Sequence, residues 1–180
     1  PLLDKAWAEE AGIGWIGKHS NLINSKIGSW MVLGHLLSTE TLIADEPAKS
    51  LCGGCQKCID ACPTKAIEEP FVVNSNNCLA YHTIENRDQV IPEKISKKMG
   101  NWIAGCDICQ DVCPWNQKKI PSSRESELQP SEWILNLKKK EALSWSDQEW
   151  KEKLSGSALK RIKPWMWRRN INSISKKGIK

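Results

Sequence analysis

Eight cysteines could do chemistry in this 180-residue chain, and seven of them stand in two runs. The first run is Cys52-Gly-Gly-Cys55-Gln-Lys-Cys58-Ile-Asp-Ala-Cys62-Pro63. Its spacing, C-x2-C-x2-C-x3-C-P, is that of the bacterial ferredoxins. There, three thiolates take three corners of one [4Fe–4S] cluster, and in two-cluster proteins the fourth Cys serves the other cluster. Wrapping a chain that tightly around a cuboidal cluster favours residues without a Cβ, here Gly53 and Gly54. Pro63 then fixes φ and redirects the chain. The second run, Cys106-Asp-Ile-Cys109-Gln-Asp-Val-Cys113-Pro114, has Ile103 where its first Cys would stand. The remaining cysteine is Cys78. Eight ligands fill two four-ligand clusters. Pseudo-two-fold pairing gives Cys52, Cys55, Cys58 and the far Cys113 to cluster one. Cluster two receives Cys106, Cys109, the far Cys62 and Cys78. Zinc sites pair C-x2-C units rather than running three cysteines before C-P. A disulfide scaffold is not what a chain of this length, with no signal-peptide pattern, needs.

The elements that must position these ligands read as an α+β fold. A helix is expected over residues 2–11, with Leu2, Leu3, Ala6 and Trp7 buried and Gly12 at its C′ position. Gly12, Gly14 and Gly17 follow a helix rather than a strand, so they are no dinucleotide fingerprint. They suggest close approach of backbone to something, for which a large flat ligand would serve. Lys18 and His19 end that loop, as solvated residues or as functional ones. Residues 21–24 and 28–39, then Leu42–Ala44, read as a sheet fragment. Asp45–Ser50 reads as a linker, Thr64–Ile67 as a helical turn, and Glu68–Val73 as extended. Helices are expected to begin at Cys78 and to cover Pro92–Met99. After a polar linker at 118–130 come three helical signals. Ser131 can cap a helix carrying Trp133, Ile134 and Leu137. Ser146 and Glu149 form a capping box before Trp150 and Leu154. Pro164 sits at N1 of a last helix, with Trp167, Ile171 and Ile174 on one face and Arg168 and Arg169 outward. Domains are expected at 1–47, 48–118 and 119–180.

Composition sets further bounds. Hydrophobic content is 40%, enough for a core, and no apolar run approaches the roughly 18 residues of a membrane span. Reduced thiolates and iron–sulfur clusters point to the cytoplasm. Residues 151–180 hold ten Lys and Arg against one acid, Glu152, whereas the rest of the chain is net acidic. A basic C-terminal segment suits a polyanion, with Lys160, Arg161, Lys163, Arg168 and Arg169 on phosphates. The chain opens without Met and in mid-pattern, as an N-terminally incomplete protein would.

Several segments in order carry a resemblance: Pro1-Leu-Leu-Asp-Lys-Ala6, Gly12-Ile-Gly-Trp-Ile-Gly-Lys18, the first Cys run, Cys78-Leu-Ala-Tyr-His-Thr-Ile-Glu-Asn86, Gly105 to Asn116, and Ser157-Ala-Leu-Lys-Arg161. The chain resembles the epoxyqueuosine reductases, which complete queuosine biosynthesis in bacteria, over nearly its whole length. The resemblance implies a ferredoxin-like two-[4Fe–4S] domain, preceded by part of an α/β cobalamin-binding domain and followed by the start of a HEAT-like helical repeat. It implies an oxidoreductase in which the two clusters feed electrons to cobalamin. Its substrate would be tRNA carrying epoxyqueuosine, its electrons would come from an external donor, and it would be a monomer. Cobalamin contacts would fall at Lys18, Ser29, Ala80, Cys106 and Asp107, and a tRNA contact at Glu85. The family's proposed proton donor, an Asp, would lie just upstream of Pro1, so the chain is not expected to catalyse alone. The competing readings are a two-cluster ferredoxin-type electron carrier and a corrinoid reductive dehalogenase-like enzyme. A carrier would leave about 50 residues before the Cys runs and 60 after them without a role.

Overall fold

The computed structural model describes residues 2–117, 123 and 125–174. In chain order its elements are helix α1 (Asp4–Glu10), strands β1 (Trp15–Ile16) and β2 (Leu22–Ile23), helix α2 (Lys57–Ala61), strands β3 (Ile67–Glu69) and β4 (Val72–Val73), and a π-helical turn (Tyr81–Glu85). Helices α3 (Glu93–Ser96), α4 (Ile108–Asp111), α5 (Glu132–Leu135), α6 (Lys139–Ser144), α7 (Asp147–Lys153) and α8 (Pro164–Ser173) follow. These elements form two compact units. One takes Pro1–Asn74 with Asp107–Ser122, the other Ser75–Cys106 with Ser123–Lys180. The units cut across the divisions expected at 47/48 and 118/119. The reason lies in side chains. Leu79, Ile91, Ile95 and Met99 share a buried cluster with Ile174, so the segment between the two Cys runs belongs with the C-terminal helices.

In the first unit, β1 and β2 pair antiparallel with Trp15 opposite Ile23 and Ile16 opposite Leu22. The glycines around β1 make this pairing possible. A Cβ on Gly14 would lie 2.3 Å from the Ile23 carbonyl oxygen, and one on Gly17 would lie 2.5 Å from Ile23 Cδ1. The close approach expected of these glycines is present, but the partner is strand β2 and not a flat ligand. Strand β1 itself is not legible in the sequence, because two residues carry no alternation signal. Helix α1 buries Ala8, while Leu2, Leu3 and Trp7 are exposed, contrary to the face expected. The stretch 28–44 forms no strand among the described residues apart from a single bridge between Asn24 and Gly28. Its apolar composition favours strands, but a strand needs a neighbour to take its backbone hydrogen bonds. Leu36 and Ile43 are almost fully exposed. Thr64–Ile67 is a turn that runs into β3 rather than a helical turn. Lys65 takes a left-handed φ of 54°, and β3 pairs with β4 through Ile67 and Val73.

The second unit has its core in Trp145, Trp150, Leu154, Ile162, Met166, Trp167 and Ile171. Trp145 stacks on Trp167 at 6.1 Å and 5°, so part of the tryptophan excess is ordinary core. The expected capping box forms: the Ser146 side chain accepts from Glu149 N–H, and the Glu149 carboxylate accepts from Ser146 N–H. Pro164 opens α8 at its first turn, and Trp167, Ile171 and Ile174 are buried as expected. Arg169 is the correction on this helix. It is 8% exposed rather than outward. Its guanidinium donates to the carbonyls of His82 (2.7 Å), Asn86 (2.9 Å) and Asp88. Its neighbour Asn170 donates to Thr83 O (2.7 Å) and Ile103 O (2.9 Å). The π-helical turn explains why. Asn86 N–H reaches back five residues to Tyr81 O, and the widened turn presents carbonyls that need outside donors. Helix α8 supplies them.

Two substitutions test this architecture. Gly14→Ala forces a methyl group into the Ile23 carbonyl and is expected to cost about 1–3 kcal/mol, measured as a lower urea midpoint. Arg169→Ala strands buried carbonyls and is expected to cost about 2–3 kcal/mol. Arg169→Lys should recover little of that, because an ammonium cannot reproduce the planar fork. An unfolding midpoint unchanged from wild type in Arg169→Ala would remove this residue from the fold's support.

Candidate metal centre

Within the first unit, Cys52, Cys55, Cys58 and Cys113 line one cavity of about 260 Å³. The chain brings them there in three steps. Gly53 takes a left-handed φ of 51°, and Cys55 N–H closes the loop on Cys52 O at 3.1 Å. Helix α2 then carries Cys58 in its first turn. Cys113 follows helix α4, which packs on α2, and its N–H bonds to Gln110 O at 3.1 Å. Pro114, Trp115, Ile23, Leu51, Lys18 and His19 complete the wall. Burial pushes the Cys58 and Cys113 thiols above their ordinary value. Backbone N–H groups oppose this, and neighbouring thiols add to it: Cys113 and Cys52 at Cys58, Cys52 and Cys55 at Cys113. Cys58 and Cys113, partly desolvated and beside other thiols, are costly to ionise unless positive charge sits among them. Iron supplies that charge. Among the described residues no three His, Cys, Asp or Glu side chains close on a single-ion position. The thiols surround a volume instead, and cluster ligands are distributed in this way, each on its own iron. The donor set therefore fits a [4Fe–4S] cluster.

Cys62 is not on this wall. Its sulfur accepts from Ala66 N–H at 3.2 Å and lies 3.7 Å from Thr64 Oγ1. Burial raises its thiol, but hydrogen bonds from Thr64 and the backbone outweigh that and leave it below the ordinary value. Cys109 lies on α4 in the same unit. Cys78 and Cys106 belong to the second unit. Cys78 follows a 3-10 turn and bonds through its N–H to Ser75 O at 2.9 Å, while Cys106 packs against the Leu79 cluster. None of the eight cysteines is disulfide-bonded.

The residues expected at a corrin have the following surroundings. Lys18 Nζ donates to Gly53 O (2.7 Å) and Cys55 O (2.9 Å), clamping the first Cys loop. Ser29 is buried, donating through Oγ to Gln110 Oε1 (2.9 Å) and accepting from Asn116 Nδ2 (2.8 Å). Asp107 accepts from Gln110 Nε2 at 3.1 Å, and burial raises its carboxyl above the usual range. Ala80 and Cys106 lie in the second unit. Among the expected nucleic-acid residues, Lys160, Arg161 and Lys163 are exposed. Arg161 pairs with Glu85 at 2.5 Å, and Arg168 with Asp147 at 2.6 Å, so neither Arg168 nor Arg169 points outward unpaired. Residues 175–180 of the basic segment lie outside the described residues.

The structure adds one functional candidate that the sequence reading does not single out, Trp15, and gives definite surroundings to a second, His19, whose role the sequence leaves open. Trp15 is 2% exposed, and its indole N–H donates to Cys52 Sγ at 3.4 Å. It meets Trp115 edge-on at 5.0 Å. His19 is 4% exposed, and its Nδ1 accepts from Asn21 N–H at 3.2 Å, while Nε2 has no partner. Burial holds its imidazole below the ordinary pKa, opposed by its backbone hydrogen bond. The signal lies in the spacing Gly14-Trp-Ile-Gly17-Lys-His19, which by itself says only that a glycine loop is present.

Residues 51–116 match the 4Fe-4S double cluster binding domain. Over 176 residues the chain is 78% identical to an epoxyqueuosine reductase of Prochlorococcus marinus (strain NATL2A), covering 98% of this chain and 56% of the relative. A Synechocystis sp. epoxyqueuosine reductase is 49% identical over 96% of this chain and 60% of its own length. Among solved structures, a selenomethionine-labelled epoxyqueuosine reductase superposes with a TM-score of 0.89 at 32% identity, covering 96% of this chain and 45% of that one. An epoxyqueuosine reductase with an epoxyqueuosine-modified tRNA-Tyr stem loop superposes with a TM-score of 0.86 at 34% identity, with the same coverage. The chain thus spans about half the length of the curated relatives it matches. With 78% identity to one of these relatives over 98% of its length and the fold of the solved structures, the chain belongs to the epoxyqueuosine reductase family.

Proposed function

We propose that this chain is the cluster-bearing portion of an enzyme that reduces epoxyqueuosine to queuosine in tRNA. The convergence of Cys52, Cys55, Cys58 and Cys113 on one cavity carries this reading, in a chain whose relatives are named for that activity. Removing an epoxide oxygen as water consumes two electrons and two protons. Iron–sulfur clusters deliver electrons singly, and the protein sets their potential through burial and hydrogen bonds to sulfur. The chain's own residues have defined parts in this scheme. Four thiolates hold cluster one, and Lys18 fixes the loop carbonyls between the first two of them. Cys62, Cys78, Cys106 and Cys109 hold cluster two. Cobalamin, implied by the family, would supply the chemistry at the epoxide carbon, with Lys18, Ser29, Ala80, Cys106 and Asp107 as its candidate contacts. The helices from Glu132 onward would open a HEAT-like repeat, and electrons would enter from an external donor in the cytoplasm.

The test is conversion. Full-length protein with reconstituted clusters, bound cobalamin, a chemical reductant and an epoxyqueuosine-bearing stem loop should yield queuosine by nucleoside mass spectrometry. No conversion at full iron content rejects the proposal.

Two variants divide the assignment further. Cys78→Ala should lower iron from about eight per chain toward about four, leaving one cluster spectrum intact; retention of all eight would exclude Cys78 as a ligand. For tRNA, Lys160→Glu with Lys163→Glu in the full-length protein should raise the Kd for the stem loop. The log–log salt dependence should flatten by about 0.9 for each duplex phosphate that the protein no longer neutralises. Affinity and slope equal to wild type would leave these lysines as solvated surface.

A further inference from the structure

We propose that the segment Trp15–His19 is a two-donor cradle that sets the reduction potential of cluster one, with the Trp15 indole N–H on the Cys52 sulfur and the His19 Nε2–H on a second sulfur in the same cavity. The inference rests on the reading that Cys52, Cys55, Cys58 and Cys113 hold a [4Fe–4S] cluster.

Two independent observations point to it. The first is direct. Trp15 Nε1 lies 3.4 Å from Cys52 Sγ, on an indole that is almost entirely buried. The second is an orphan. His19 Nδ1 accepts the Asn21 N–H at 3.2 Å, so the proton of the neutral ring sits on Nε2. That Nε2–H is buried without a partner, and the residue lines the cavity that the four thiols line. A buried N–H left unpaired costs about 1–3 kcal/mol. An electron-rich sulfur in that cavity would satisfy it. The fold keeps both donors in place. Trp15 lies on β1 opposite Ile23, and Gly17 admits Ile23 Cδ1 and His19 Cε1 to within 2.5 and 3.2 Å of where its Cβ would be. A side chain at Gly17 would collide with Ile23 and crowd the imidazole. Lys18, between the two donors, ties the same segment to Gly53 O and Cys55 O. The segment is therefore fastened to the cysteine loop at three points.

The physical consequence has a sign. A hydrogen bond to a cluster sulfur stabilises the reduced, more negative state more than the oxidised state, so each donor raises the potential. Donors on one cluster would separate its potential from that of the other, giving electrons a preferred direction between them.

The experiment is an EPR-monitored redox titration of the full-length protein with both clusters reconstituted. Trp15→Phe keeps the ring and removes the N–H. His19→Leu removes the imidazole donor, and His19→Gln restores an N–H at similar reach. In Trp15→Phe and in His19→Leu, one of the two midpoint potentials should fall by an amount equal to a several-fold smaller reduction equilibrium constant, where tenfold is about 59 mV for one electron. The other potential should stay fixed, and His19→Gln should lie close to wild type. Unshifted potentials in both variants at about eight Fe per chain would overturn the proposal. Should either variant lose its cluster, the wild-type protein labelled with 15N-histidine and 15N-tryptophan decides by pulsed EPR. Hyperfine coupling from both rings to the reduced cluster supports the cradle, and its absence, as when a water occupies the His19 position, overturns it. The underlying assignment fails separately, if Cys113→Ser leaves the wild-type cluster spectrum and iron content unchanged.

Discussion

The constraint on which the first unit depends is the convergence of four thiols in one partly desolvated cavity. Burial raises Cys58 and Cys113, and each is raised further by its thiol neighbours. Such a group is stable in its ligating, ionised form only around a cationic cluster, so metal binding is coupled to local folding. The surroundings hold the thiols in place against that repulsion. Helices α2 and α4 pack together and deliver Cys58 and Cys113 from opposite ends of the chain's cysteine region. A network of Ser29, Gln110 and Asn116 holds the chain after α4, with Asn116 Oδ1 accepting from Ser29 N–H at 2.7 Å. The glycine-bearing hairpin then closes the other wall. A pocket assembled from three remote stretches is rigid only if each is tied independently, and each is.

The second unit answers a different demand. A π-helical turn between the Cys runs leaves backbone carbonyls that its own ladder does not satisfy. Arg169 and Asn170 of α8 satisfy five of its neighbourhood's carbonyls, those of His82, Thr83, Asn86, Asp88 and Ile103, from a position with little access to water. Burying a guanidinium is unfavourable, and desolvation lowers its pKa from the usual arginine value. The planar fork offsets that penalty by serving several acceptors at once. Thr83, fully buried in the turn, adds a bond to Gly105 N–H at 3.0 Å just before Cys106. The C-terminal helices thus support the segment that carries Cys78 and Cys106, and this is why the compact units do not follow the ferredoxin boundaries.

What can be read from the sequence is what is local and covalent in its logic. The Cys spacing, the Ser146–Glu149 box and Pro164 at the start of α8 each encode their geometry within a few residues, and the structure has each of them. What cannot be read depends on partners remote in sequence. Leu36 and Ile43 look like strand residues because hydrophobicity and β-propensity describe a half-buried surface, not the neighbour that buries it. Lys18 looks like a solvated or corrin-facing cation, but its ammonium finds carbonyls 35 and 37 residues away. Trp15 is one tryptophan among ten, and only the cavity distinguishes it from the stacked core pair Trp145 and Trp167.

The same distinction governs the basic segment. Net charge counts residues, while a polyanion meets only the charge that the fold leaves available. Arg169 is engaged by backbone carbonyls, Arg168 faces Asp147, and Arg161 faces Glu85. Of these, only Arg169 is a buried structural cation. The Arg161–Glu85 pair is largely exposed and so is worth little to stability. A phosphate could therefore exchange for the Glu85 carboxylate with little loss. Glu85 is the last residue of the π-helical turn that begins at Tyr81. Lys160 and Lys163 flank the pair on the exposed side of the 3-10 turn Ala158–Arg161. Of the five basic residues expected at phosphates, those that the fold leaves exposed, Lys160, Arg161 and Lys163, accordingly lie in or just after this short turn, whereas Arg168 and Arg169 on α8 are not exposed.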